Sequence, residues 1–191
     1  MIRAFSESID KCACVTGKCI DGNGPADDIS FVFLMKDFAE GSLSFHMVSE
    51  RIRRFMENRC ELTIDPINLH FVEPIYVDIA VNVWMKVNSL EDSFALQNRI
   101  KEGLDQYLNP VSSGGNTGNE TRGWNIGVLP QKSQIMMKLV ALKGSAKISK
   151  MTVTASFKDK EGFHEIDLTE LSTSPYFVIK PGAHQIYIDY E

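Results

Sequence analysis

The sequence predicts an α+β fold in which one antiparallel sheet is roofed on one face by helices. Ile75, Val77, Ile79, Val81, Val83, Met85 and Val87 alternate with Tyr76, Asp78, Ala80, Asn82, Trp84 and Lys86. Successive side chains on a strand point to opposite faces, so this stretch has one dry face and one wetter one. Apolar residues recur at helical spacing both before it (Val48, Ile52, Phe55, Met56) and after it (Ile100, Leu104, Tyr107, Leu108), and supply a cover for the dry face. At ~3.3 Å per residue the strand runs roughly 40 Å against a usual ~17–20 Å, so a bend or an overhang past its neighbours is expected.

Taken in order, residues 1–28 hold a weak amphipathic stretch and a short strand at Lys11–Val15, and break at Asp21-Gly22-Asn23-Gly24-Pro25. Ile29–Asp37 is apolar at nearly every position, as an interior strand covered on both faces is. Ser44 is the expected N-cap of a helix that runs to about Arg59. Ile64–Phe71 alternates and, with Val72-Glu73-Pro74 as connector, is expected to form a hairpin with the long strand; Pro74 suits a turn or an edge because it has no N–H to donate. Ser89-Leu90-Glu91-Asp92 resembles a capping box ahead of a helix with Phe94, Ile100, Leu104, Tyr107 and Leu108 on one side, stopped by Asn109-Pro110.

Val111–Gln131 is rich in Gly, Asn, Ser and Thr and too long for an ordinary connection. Ser133 is read as the cap of a third helix through Ile135, Met136, Leu139 and Leu142, ended by Gly144. Met151, Val153, Ala155 and Phe157 alternate with polar residues as a one-sided strand. Strand, helix, strand, strand, helix, inserted loop and helix, strand gives, with right-handed crossovers, a split-βαβ, ferredoxin-like four-stranded antiparallel sheet. The expected organisation is therefore an N-terminal segment 1–28, a ferredoxin-like domain 29–157 with an insertion at 109–144, and a C-terminal β appendage 158–191. The appendage holds Ile166–Leu168, Tyr176–Ile179 and Ile186–Tyr190, with Pro181-Gly182 as the turn between the last two.

Composition narrows the chemistry. With 20 basic against 25 acidic residues and a net charge of −5, the chain carries no electrostatic footprint for a polyanion. Arg51, Arg53, Arg54 and Arg59 cluster, but Glu50 and Glu57 interleave them as on a solvated helix face. No run approaches the ~18 apolar residues of a spanning helix and Met1–Ser8 has no apolar signal core, so a cytoplasmic protein is expected.

Cys12, Cys14, Cys19 and Cys60 lack the paired spacing of a zinc site, and Cys12 and Cys14 share one face of a strand, where cysteine acts as a small hydrophobe. His46, His70, His164 and His184 share no ligand spacing and are expected as surface or half-buried residues. Ser113-Gly114-Gly115-Asn116-Thr117-Gly118 does not link strand to helix as phosphate loops do, and no nucleophile motif appears. No catalytic residue, metal, cofactor or small-molecule substrate is expected. The stretch Gly123-Trp124-Asn125-Ile126-Gly127-Val128-Leu129-Pro130 stands out, because glycines on either side of an aromatic anchor let the backbone turn while the ring docks, either pinning the loop to its own core or helping form a contact with another subunit.

Val72-Glu73-Pro74-Ile75-Tyr76-Val77-Asp78-Ile79, the helix ending Tyr107-Leu108-Asn109-Pro110, Gly114-Gly115, Gly123-Trp124-Asn125-Ile126-Gly127, and Ser133 and Leu139 before Gly144 follow in an order that resembles the C-terminal part of baseplate J-like proteins. These are wedge components of the baseplates of contractile phage tails and related injection systems. The resemblance spans roughly residues 10–157. Family members often have Pro-Phe-Gly where this chain has Asn125-Ile126-Gly127, and usually carry a further N-terminal region, so the resemblance implies a shortened relative, a separately encoded piece or an excised domain.

It also implies a non-catalytic scaffold that joins copies of itself and other baseplate and tail proteins, cytoplasmic during assembly and then part of the baseplate, with no nucleic-acid or membrane partner. The expected interaction surface is Gly123, Trp124, Gly127 and Pro130, together with Tyr76 and Trp84 on the wetter face of the long strand, where aromatics favour protein contacts. The alternative is a small ferredoxin-like domain that binds a ligand or nucleic acid, stacking bases on exposed aromatics.

Overall fold

The computed structural model describes residues 7–17, 28–37, 43–57, 59, 68–88, 93–111, 123–158, 162–168 and 175–190. Among these the fold is mixed α+β, with three helices and two sheets. The chain divides into two compact units: Met1–Ile75 with Asn125–Gly127 and Ser174–Val178, and Tyr76–Trp124 with Val128–Thr173 and Ile179–Glu191.

In the first unit β1 (Ile9–Thr16) pairs antiparallel with β2 (Ile29–Met35), and β2 pairs parallel with β3 (Leu69–Val72). β2 is thus the interior strand its apolar run announced. Helix α1 (Leu43–Glu57) makes the crossover between the parallel strands. Phe33 and Met35 bury with Phe45, Val48 and Ile52 of α1 and Ile9 of β1, while Val32 buries with Val15 and Tyr176 in a second cluster. Alternate residues of one strand feed two cores.

Ser44 lies inside α1 rather than at its cap, and its hydroxyl donates to Asp37 Oδ2 at 2.8 Å. Arg53 and Arg54 meet Glu50 at 3.9 and 3.7 Å, and the Arg53 and Arg59 guanidiniums sit over Phe71 and Phe55, so these cations are engaged within the chain.

The second unit is built on β4 (Ile75–Val87), which pairs antiparallel with β5 (Lys147–Lys158). β6 (Phe163–Asp167) extends the sheet beyond β5. Two short strands, β7 (Phe177–Pro181) and β8 (Gln185–Tyr190), pair with β4, β8 running parallel to it. The C-terminal strands therefore lengthen the main sheet. The expected bend is present as a register shift between Trp84 and Met85, opposite the extra residue Ser149.

Val77, Ile79, Val81, Val83 and Met85 are fully buried and Val87 nearly so. Helices α2 (Ser93–Leu108) and α3 (Lys132–Leu142) pack on each other, α2 also against β8 and α3 against β5. The buried stripe of α2 is Leu96, Ile100, Leu104 and Leu108, at intervals of four. Phe94 was expected on that stripe but is 72% exposed: six positions at 100° each carry it to the other side of the helix from Ile100. α3 begins after Gln131, whose backbone N–H donates to Gln134 Oε1 at 2.8 Å, so Ser133 is again inside the helix.

The single four-stranded antiparallel sheet expected from the element order is not what forms. β3 joins β2 in one sheet and β4 heads another, so the expected hairpin between them is absent. Glu73-Pro74 gives the reason. A two-residue hairpin needs a primed turn with positive φ at its first central residue, which favours Gly, Asn or Asp there; Glu does not, and Pro holds φ near −65° where the type I′ turn needs it positive. The same strand order also lacks the turn expected at Pro181-Gly182, because β7 and β8 follow one another along β4. Gly182 N–H donates to Ile79 O at 3.0 Å, and a Cβ there would lie 3.1 Å from the Ile79 backbone, tighter than most Cβ contacts, so the absence of a side chain eases the approach.

Candidate protein-interaction surface

The loop before α3 contains the residues singled out in the sequence. Gly123 and Gly127 have φ of 61° and 77°, the left-handed region in which glycine is the unstrained choice. Between them Trp124 is half-buried, its ring meeting Tyr107 edge-on at 5.5 Å. The indole Nε1–H donates to the Tyr107 carbonyl at 2.7 Å. Tyr107 lies in the last turn of α2, where carbonyls have no partner within the helix. Trp124 thus caps α2 from outside.

One residue on, the Asn109 side chain accepts the Val111 N–H at 2.9 Å and Pro110 is buried, so the chain leaves the helix in one defined direction. Trp124→Phe keeps the ring and deletes the donor. It is expected to lower the unfolding free energy by about 1 kcal/mol in urea titration.

The other expected surface residues divide. Pro130 is buried, and Tyr76 is only 3% exposed, with Lys180 Nζ 5.6 Å from its ring centroid. Neither is offered to a partner. Tyr76 lies on the face opposite the dry row and is buried all the same, whereas sequence alternation alone predicts it open. Trp84 is half-buried near the other end of the strand, stacked on Tyr187 at 5.1 Å. Ile126 packs on the Val15–Val32–Tyr176 cluster, and Gly127 N–H donates to Phe177 O at 2.7 Å.

Several large apolar residues not singled out beforehand are exposed in pairs at helical spacing. Leu43 and Met47 lie on α1, and Met137 and Val140 on α3, all at least half exposed. Their spacing of three or four was the available signal, since it places each pair on one face that the buried stripe does not use.

Among the described residues no three His, Cys, Asp or Glu side chains gather as a metal site. Cys12 leans on the first core cluster, whereas Cys14 is exposed; Cys19 and Cys60, the glycine run 113–118 and the capping box at 89–92 lie outside the described residues. A cavity of about 420 Å³ is lined by Val87, Leu96, Arg99 and Lys143 among others, but Arg99 Nε and Lys143 Nζ donate to carbonyls at and just beyond the end of α3.

His184 departs from expectation. Its side chain is fully buried between β7 and β8, with Nδ1 accepting the Val81 N–H at 3.2 Å and Nε2 3.4 Å from Asp105 Oδ1. Burial lowers its pKa from the usual histidine value, the neighbouring Asp105 carboxylate opposing the shift and Lys101 adding to it. An imidazole here does the work of a strand carbonyl.

No described helix is long and apolar enough to cross a membrane. No family model matches the chain, and no curated protein matches it.

Proposed function

We propose that this protein is a non-catalytic scaffold subunit of a phage-like contractile baseplate, a wedge component that works through contacts with copies of itself and with other tail proteins. The observation that carries the reading is the Trp124 Nε1–Tyr107 O hydrogen bond. It ties the Gly-Trp loop to the helix end of Tyr107-Leu108-Asn109-Pro110, the two segments on which the resemblance to baseplate J-like proteins most depends. Segments that contact one another are more telling than motifs merely in order. The split-βαβ arrangement is not needed for this; a mixed α+β framework carries the same segments.

The exposed pairs Leu43–Met47 and Met137–Val140 supply apolar surface of the kind that marks protein contacts. Co-expression with the sheath, tube and spike proteins of a contractile tail, followed by size-exclusion chromatography with light scattering, tests the reading. Specific multimers or co-elution with a tail protein are expected. A strictly monomeric chain that retains none of those proteins sinks it.

A further inference from the structure

His184 holds a strand that its own side chains hold weakly. No residue of β8 is buried, whereas Ile179 of β7 has no exposed surface. Among the described residues β8 pairs with β4 alone, over Asn82–Val87, with the Gln97 Nε2–Ile186 O hydrogen bond at 2.8 Å and the Tyr187 ring on Trp84 as further ties. Segments with few buried apolar contacts open first. Just upstream, Gly182 N–H is fixed to Ile79 O at 3.0 Å, so an opening of β8 pivots between Gly182 and His184.

Protonation of the ring and its hold on β4 exclude each other. Nδ1 accepts the Val81 N–H at 3.2 Å, so the neutral imidazole carries its hydrogen on Nε2, 3.4 Å from Asp105 Oδ1. A second proton can enter only at Nδ1, on the lone pair that this bond occupies, and sets two N–H groups face to face. The bond then breaks. Because the side chain has no exposed surface, the imidazolium meets water only if the strand leaves β4.

The charges around the ring do not hold the cation in place. From α2, Asp105 attracts it but is 46% exposed, which screens its pull, and Lys101 repels it. β4 and β7 carry the Asp78–Lys180 pair, 3.7 Å apart, on the other face of the sheet, and β8 carries Asp189 opposite Lys86 at its far end.

We infer that His184 is a proton-operated latch: neutral, it fastens β8 to β4, and with a proton on Nδ1 it lets the strand swing out about Gly182, uncovering the Asn82–Val87 edge of β4. The open form binds the proton more readily than the closed one, so the open fraction grows as pH falls below about 6.5. This release is local and precedes unfolding of the sheet.

Amide hydrogen exchange of the ¹⁵N-labelled full chain, followed from about pH 7.5 to about pH 5.5 and corrected for the intrinsic pH dependence of exchange, tests the latch. The Val81 amide and the β8 amides bonded to β4 are expected to lose protection about tenfold over that range, and the Trp84 indole signal to shift as Tyr187 leaves it, while the Val153 and Ala155 amides of β5 keep theirs. His184→Asn retains an acceptor near the place of Nδ1 and cannot titrate. It is expected to abolish the pH dependence and to leave β8 protected in acid. Protection that is constant with pH in the wild type, an equal loss in β5 and β8, or an undiminished acid loss in the asparagine variant overturns the inference. Should that variant fail to fold, the wild-type series alone decides, through the contrast between β8 and β5.

Discussion

Ile79→Ala is expected to lower the unfolding free energy by about 2–5 kcal/mol, the range for truncating a large aliphatic in a closed core. Ile79 has no exposed surface and lies in the run of β4 whose neighbours Val77 and Val81 are equally dry. Its strand is held on both edges, by β5 and by β7 and β8, so the backbone has little freedom to close the cavity. Asn82→Ser, three positions on and on the opposite face, is expected to change stability by no more than about 0.5 kcal/mol. Urea denaturation of the two variants beside the wild type measures the contrast. Equal effects would mean that the two faces of β4 are not differently buried, and the architecture of the second unit would have to be redrawn.

His184→Leu is the second large effect. Leucine retains much of the volume and removes the acceptor, which leaves the Val81 N–H buried with no bond to make. A cost of about 1–3 kcal/mol is expected. The pH dependence gives a second readout. The unfolded chain protonates this histidine near ~6.5, whereas the folded chain, in which burial disfavours the cation, does so only at lower pH. The folded state then binds fewer protons, so stability falls as pH drops below about 6.5 toward the folded value, and this group contributes no slope above that window.

His184→Leu is expected to remove that slope. Asp105→Asn withdraws the carboxylate that favours the cation, and is expected to steepen the loss in acid. Denaturation midpoints between pH 5 and 8 decide the matter; an unchanged acid slope in the leucine variant would show that another group is responsible.

Local pattern explains which parts of this fold were readable. The dry row of β4, the doubly covered β2 and the buried alternation Met151–Val153–Ala155 follow from side-chain direction within one strand, which needs no knowledge of neighbours. Which strands pair is a long-range matter, and only Glu73-Pro74 spoke to it, against a hairpin. Phe94 shows a different error, since a large apolar residue near a helix start was counted without its angle, whereas Leu96 at the correct interval carried the stripe. Ser133 has the higher cap propensity, but the helix starts after Gln131, whose N–H is taken by the Gln134 side chain.

For the candidate surface, the two glycines around Trp124 were legible as turn positions, but the partner of the indole was not. A carbonyl left over at a helix end has no signature in sequence. Tyr76 and Trp84 occupy equivalent positions of the same alternation, yet one is buried and the other only half-buried. His184 gave no hint beyond its place between two β runs.

The parallel partner of β4 has a kinetic consequence. Val81 and His184 are 103 residues apart in the chain, and every pairing along β8 spans a similar distance. Loop closure over such a separation is slow, so one flank of the central strand stays unzipped until late in folding. A nascent chain in that condition displays Val81, Val83 and Met85 beside an unsatisfied ladder, an invitation to strand exchange between neighbouring copies before the ribosome has finished.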